Sequence, residues 1–309
     1  MNKKILIVGG SGLIGGFLTD YFKKRGEYVG VIARKRTSSV ADEFIEADTT
    51  KEGGWQEYIQ LYDIVINLAG ATIGKRWNRR YKEEIYSSRI LTTRNIVNGI
   101  EKGGILFSTS AVGYYGDCKE KILTEESRPC TNDFLHRVCE DWEREALEAN
   151  NKGARVFIMR FGVVASSEGG AFQRLIKNHK YFLGSVIGSG KQFFSYIHIE
   201  DIARGIEFLI DRLPEGAIYN FTTPDPVTNR ELTLSLSSIL KRPVIIPFIP
   251  SLILRLILGE FADTLLFSQR AMPENLLKNG FEFKYPTLMD VLSSIVREKT
   301  HRRSLFLRF

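Results

Sequence analysis

The segment that most constrains this chain is its start, where the apolar run Ile5–Val8 meets Gly9-Gly10-Ser11-Gly12-Leu13-Ile14-Gly15. Four consecutive aliphatic residues bounded by glycine read as a strand buried on both faces. Leu13 to Arg25 follows with the spacing of a helix and stops at Gly26, and Tyr28–Ala33 reads as a second strand. Strand, glycine turn, helix and strand form the crossover unit of a parallel sheet. Glycines in that turn let the backbone bend tightly and come close to a phosphate at the positive end of the helix. With a strand before it and a helix after it, the motif is more than a glycine-rich turn. It predicts a dinucleotide held by Gly9, Ser11, Gly12, Leu13, Ile14 and Gly15.

The end of the second strand speaks to which dinucleotide. An acidic residue there binds the ribose 2′-hydroxyl of NAD. This chain has Ala33-Arg34-Lys35-Arg36 instead. Guanidinium and ammonium groups suit a 2′-phosphate, so Arg34 and Lys35 point to NADP over NAD. Asp48 follows a third strand, and Asn67-Leu68-Ala69-Gly70 ends the next. Asp48, Asn67, Ala69 and Gly70 are expected to border the cofactor, since ligands sit beyond the carboxyl ends of such strands. A solvated turn is the alternative for Asp48.

Alternation continues with a strand at Ile64–Leu68, a helix from about Lys82 to Glu101 and a strand at Ile105–Ser108. A long helix over Asp133–Asn150 and a strand at Arg155–Arg160 complete the first half. The expected fold class is α/β: a Rossmann-type doubly wound parallel sheet with a smaller, discontinuous C-terminal α+β domain. Residues 1–165 plus about 196–225 are assigned to the nucleotide-binding domain, and about 166–195 plus 226–309 to the second.

The chain has 309 residues and a net charge of +7, with basic clusters at Arg34–Arg36, Arg76–Arg80 and Arg302–Arg303 and the remaining excess spread out. A scattered surplus argues against nucleic-acid binding. Cys118, Cys130 and Cys139 lack CxxC spacing, which favours reduced thiols in a cytoplasmic protein over disulfides or zinc. No metal constellation is expected. The greasy stretch Val244–Gly259 contains Pro247, Pro250 and Arg255 and is too short to span a membrane. It reads as a buried or half-exposed helix, with no membrane partner.

At this point the residues resemble the extended short-chain dehydrogenase/reductase superfamily, through GGSGLIG, NLAG and FSTSAVGYYG at 107–116. They are similar above all to its atypical branch of epimerase family proteins. Resemblance to that branch is carried by SSRILTTR at 87–94, DFLHRVCEDWE at 133–143, GSGKQFFSYIHIED at 188–201, and a C-terminal region including GEFADTLLFSQRAMPENLLKNGFEF at 259–283. The resemblance implies a hydride-transferring oxidoreductase or epimerase, and allows a homodimer.

Two departures from the superfamily pattern stand out. The usual chemistry joins a serine, a proton-exchanging tyrosine and a lysine that lowers the tyrosine pKa. Ser110 matches the serine, but the YxxxK register reads Leu135 and Cys139. Tyr114 and Tyr115, just after the strand bearing Ser110, are the remaining phenols; core packing or stacking is their alternative role. Cys139 reads as a buried small hydrophobe. The second departure is Phe194, which stands where nucleotide-sugar enzymes of the superfamily place a diphosphate-binding arginine. Arg76, Trp77, Arg89 and Phe194 are the substrate-side candidates, while His198, Glu200 and Asp201 read as structural. The expectation is an NADP-dependent enzyme acting on a small carbonyl or hydroxyl compound. A non-catalytic NADP(H)-binding sensor or scaffold is the alternative.

Overall fold

The computed structural model describes residues 3–36 and 40–306, with side chains as far as Arg297; Arg302 and Arg303 of the basic tail lie outside the described side chains. Seven strands form the main sheet: β1 (Lys4–Val8), β2 (Tyr28–Ala33), β3 (Glu43–Glu46), β4 (Ile64–Asn67), β5 (Ile105–Ala111), β6 (Arg155–Phe161) and β7 (Ile218–Phe221). Their order is β7-β6-β5-β4-β1-β2-β3, and the sheet is parallel. Chain progress reverses between β1 and β4, which is where such sheets open a ligand crevice beyond their strand ends. Helices α1 (Leu13–Lys24), α2 (Arg79–Gly99) and α3 (Phe134–Leu147) are the long crossovers of this half. The doubly wound fold expected from the alternation is present.

Contacts divide the chain into two compact units. The first contains residues 1–114, 133–160 and 209–219, and the second 115–132, 161–208 and 220–309. This differs from the expected boundaries: 115–132, 161–165, 196–208 and 220–225 fall in the second unit, and the chain crosses between Tyr114 and Tyr115. The first unit packs Leu6, Val8, Ile32, Val65, Leu106 and Ile158 of the strands against Ile96 and Val97 of α2.

The core of the second unit is helical. Phe172 and Ile176 of α4 (Gly170–Lys180), Leu232 and Leu236 of α6 (Asn229–Leu240), and Val291, Leu292 and Ile295 of the C-terminal helix Leu288–Phe306 meet there. Helix α5 (Ile199–Arg212) begins with the His198–Asp201 stretch, and those side chains anchor a later loop. Asp201 is fully buried and accepts the backbone N–H groups of Lys284 and Tyr285 at 2.8 and 2.9 Å. Glu200 receives the Lys284 ammonium at 2.6 Å and the Tyr285 hydroxyl at 2.9 Å. The His198 ring stacks 3.9 Å from that of Tyr285, and burial pushes its pKa down to about 4. The structural reading of these three residues agrees with this geometry.

Two sequence expectations are corrected. Cys118 and Cys130 form a disulfide, with Cα atoms 5.3 Å apart, and only Cys139 is a free thiol. The two cysteines meet because residues 115–132 form a closed excursion, pinned where Cys130 N–H donates to Tyr115 O at 2.8 Å and Asp117 N–H to Thr131 Oγ1 at 3.1 Å. Sequence spacing carries no trace of that closure. The greasy stretch is helical only over α7 (Ser251–Leu258), and of the buried and half-exposed alternatives its side chains take the exposed one, Leu254 alone in the helix being buried. Pro247 and Pro250 prevent the helix from starting earlier.

Candidate active site

Within the first unit, the turn after β1 is built from glycines with separate tasks. Gly9 has φ +86°, and a Cβ there would sit 3.0 Å from the backbone nitrogen of Ala69. The turns after β1 and β4 therefore lie directly against each other. A Cβ on Gly10 would meet Val31 at 2.5 Å, and one on Gly15 would meet the Gly10 Cα and Gly9 O at 2.6 Å. These three positions are closed by protein. Gly12 differs: its only neighbour would be Gly9 O at 3.3 Å, and both Gly12 and Ser11 are exposed. Gly12 is also the N-cap of α1, so no side chain caps that helix, and no acid lies in its first turn. By contrast, Asn78 caps α2 and Asp133 caps α3 with side-chain oxygens. The start of α1, including Leu13 and Ile14, presents N–H groups toward the space that Gly12 leaves open.

Around this turn the predicted cofactor residues fall into two kinds. Arg34 and Lys35 are exposed at the end of β2. Asp48 is exposed, bonded by the Thr50 hydroxyl at 2.7 Å, and its carboxyl is held below the usual range by Thr50 and, in smaller part, by Lys51 and Arg34. Asn67 is fully buried; its amide donates to Thr93 Oγ1 at 2.9 Å and its oxygen accepts from Ala69 N–H at 3.2 Å. Its side chain is committed within the protein, where it shapes the Ala69–Gly70 turn. Trp142 Nε1 donates to the same Thr93 hydroxyl at 2.8 Å, which ties β4, α2 and α3 together.

A buried charged cluster lies at the end of β5. Ser110 donates its hydroxyl to Glu143 Oε1 at 2.6 Å. Arg160 binds the same carboxylate twice, Nε to Oε1 at 2.8 Å and Nη2 to Oε2 at 2.7 Å. Arg160 is 2% exposed and Glu143 6%, so this is an ion pair out of water. The Tyr114 ring lies 3.5 Å from the Arg160 guanidinium, and the Tyr114 carbonyl oxygen is 2.7 Å from His136 Nδ1. Tyr114 is half-buried beside this charge.

Tyr115 is placed differently. In the second unit it is 0% exposed, with its hydroxyl 2.9 Å from Thr124 O and 2.8 Å from Asn220 Oδ1. Of the two phenols proposed from sequence, Tyr115 is a core residue and Tyr114 stays with Ser110.

Leu135 and Cys139 do face the strand end, as the register reading requires. A Cβ on Gly113 would lie 3.5 Å from Leu135 Cβ and 3.8 Å from Cys139 Sγ. Burial pushes the Cys139 thiol up to about 12, so it is neither a base nor a nucleophile. Arg89 of α2 packs against Trp142 of α3. Its guanidinium donates to Ile85 O at 2.9 Å and Ala71 O at 3.0 Å, and stacks 5.1 Å from the Trp142 ring. Gly70 is open enough to admit it, since a Cβ there would meet the guanidinium carbon at 3.1 Å. Burial holds the Arg89 pKa below its ordinary value.

The other candidates make local contacts of their own. Trp77 bonds Ile73 O at 2.9 Å and packs edge-on to Phe134, while Arg76 is exposed. In the second unit Phe194 stacks with Tyr196 and meets Phe172 at a tilt, and its own side chain has no charge to offer a diphosphate. Glu143 and Arg160 were absent from the sequence-derived set. Their signal was a glutamate on the apolar face of α3 and an arginine inside the apolar run of β6.

Comparison with known proteins identifies the family. Residues 5–221 match the NAD dependent epimerase/dehydratase family, and residues 249–295 match a domain of unknown function, DUF1731. An epimerase family protein of Staphylococcus epidermidis is 34% identical over 299 residues, covering 96% of this chain and 99% of that protein. One from Staphylococcus aureus is 35% identical over 301 residues, covering 96% and 100%. Among solved structures, human epimerase family protein SDR39U1 (isoform 2) with NADPH superposes with a TM-score of 0.84 at 28% identity, covering 95% of this chain and 99% of that one. A nucleoside-diphosphate sugar epimerase from Corynebacterium glutamicum gives 0.75 at 26% identity, covering 100% and 68%. By fold, by the glycine turn and by sequence along nearly its whole length, the chain belongs to the NAD dependent epimerase/dehydratase family.

Proposed function

We propose that this protein binds NADP(H) on the Gly9–Gly15 turn and is an oxidoreductase of epimerase type for a small carbonyl or hydroxyl substrate. The observation that carries the reading is the uncapped start of α1 beside Gly12, the loop glycine that faces open space. A pyrophosphate fits that cradle by charge and by size. The NADPH in the similar human protein supports the same cofactor. When bound, the nicotinamide supplies or accepts the hydride. The protein's own residues hold the cofactor and move the proton.

Arg34 and Lys35 neutralise the 2′-phosphate in this reading. Changing Arg34 to Asp is expected to weaken NADPH about 10- to 100-fold, the worth of one charge-assisted hydrogen bond, and to leave NADH nearly unchanged. Calorimetric titration with both nucleotides measures it, and equal losses would remove the NADP assignment.

Tyr114 is the proton donor in this scheme, its ring held 3.5 Å from the Arg160 guanidinium. Ser110 is a positioning group, because its hydroxyl is already given to Glu143. Arg89 supplies fixed positive charge against α3. Tyr114→Phe should leave NADPH affinity unchanged and cut turnover about 100- to 10,000-fold, the usual contribution of a general acid. Unimpaired turnover would move the proton donor elsewhere.

The second reading, a non-catalytic NADP(H) sensor, is favoured by Leu135 and the neutral, buried Cys139 at the YxxxK positions. Tight NADPH binding with no oxidation or reduction across a panel of aldehydes, ketones and sugars would select it.

A further inference from the structure

Helix α7 turns its apolar side the wrong way for a core. Leu252, Ile253, Leu256 and Ile257 fall within one arc of the helix, and they are 69, 45, 68 and 62% exposed. Only Leu254, on the opposite side, is buried. Just before the helix, Ile245 and Phe248 are exposed as well. Phe248–Ile249 pairs in parallel with Val186–Ile187, and that strand follows an exposed turn containing Tyr181 and Leu183. The Arg242 guanidinium lies 5.3 Å from the Phe182 ring and ties the two stretches together a second time. Both stretches belong to the second unit. Contiguous apolar exposure on this scale marks a docking surface.

Charge identifies what docks. No Asp or Glu occurs between Glu168 and Glu200, or between Glu231 and Glu260. Those two stretches hold seven Lys and Arg residues, an excess as large as the net +7 of the whole chain. Cations without an intervening acid thus lie in the same segments whose aliphatic and aromatic side chains the structure exposes. Lys177, Lys180, Lys241 and Arg242 are all exposed there, while Arg255 is paired with Asp263 at 3.0 Å. A second copy of the chain would bring the same positive face and be repelled.

We propose that this face is an interfacial docking surface for an anionic membrane, with α7 and its flanking apolar residues inserted at headgroup depth and the lysines and arginines against acidic lipid. No described helix is long and apolar enough to cross a membrane, and the inference requires none to do so. The expectation of no membrane partner weighed only spanning. The inference is independent of the cofactor reading.

Its test is cosedimentation of the full chain with vesicles of phosphatidylcholine, with and without phosphatidylserine, at low and physiological salt. The wild type should sediment with the phosphatidylserine vesicles, weakly with the neutral ones, and less as salt rises. L252S/L256S should reduce the partition at least tenfold, and each of K180Q and R242Q about fivefold, the worth of one cation near an acidic surface. All four positions are exposed and lie outside the residues assigned to the cofactor, so NADPH binding should match the wild type and each variant should still melt cooperatively. Equal sedimentation with both vesicle types, or with neither, would overturn the proposal. So would a wild-type dimer that L252S/L256S converts to a monomer without vesicle binding, which would assign the face to self-association.

Discussion

Glu143→Ala is expected to lower folding stability by about 3–5 kcal/mol, the cost of leaving a buried cation without its partner. Arg160 is 2% exposed and makes two hydrogen bonds to the Glu143 carboxylate, so water cannot replace what the substitution removes. Ser110 loses its acceptor at the same time. The conservative Glu143→Gln keeps one acceptor oxygen and should cost less than the alanine. Replacing the ion pair by apolar residues of similar volume, Glu143→Leu with Arg160→Met, should recover much of the loss, because both desolvated charges disappear together. Urea unfolding of the four proteins distinguishes these cases. A loss below about 1 kcal/mol for Glu143→Ala would place the pair among solvent-screened ones and contradict its burial. The double variant should still melt cooperatively yet leave Tyr114 without its neighbouring charge, which separates the pair's structural role from its role at the site.

How much of this was legible in the sequence depended on how local each feature is. The bounds of β2 and the start of α1 follow from residues that lie next to one another, because strand alternation, a glycine turn and helix spacing are short-range signals. The four tasks inside the glycine turn were not separable, since Gly10 owes its lack of a side chain to Val31 and Gly9 owes its own to Ala69. Glu143 and Arg160 are 17 residues apart and acquire meaning only when α3 packs beside β6; on the sequence each is one more charged residue. Tyr114 and Tyr115 are adjacent, and a strand-end reading gave both the same candidacy. Fold context separates them, one ring lying on a guanidinium and the other buried in the core with its hydroxyl engaged. Cys118 and Cys130 were read through composition, whereas their pairing belongs to the path of a loop. For α7, an apolar composition left burial and half-exposure both open, and the choice rests on whether a partner surface packs against it, which among the described residues only Leu254 finds.

Gly12→Ala and Gly15→Ala, three positions apart in one turn, are expected to fail in opposite ways. A methyl group on Gly15 would lie 2.6 Å from backbone atoms of Gly9 and Gly10, so α1 would have to move away from the turn. The backbone cannot yield as a flexible side chain does, and the expected result is a strongly destabilised or unfolded protein. On Gly12 the methyl group meets only Gly9 O at 3.3 Å, at a φ of −78° that any residue adopts, so folding should be nearly unchanged. What it would fill is the space assigned to the pyrophosphate. NADPH affinity should then fall at least about 100-fold, or about 2.7 kcal/mol. Thermal melting with and without nucleotide reads both effects at once. The wild type should gain about 2.7 kcal/mol at a nucleotide concentration 100 times its Kd, whereas Gly12→Ala should melt near the unliganded wild type and gain almost nothing. If Gly12→Ala responded to NADPH as the wild type does, the open space beside the α1 N-terminus would not be where the cofactor lies, and the proposed assignment of Ser110, Tyr114 and Arg89 around it would lose its anchor.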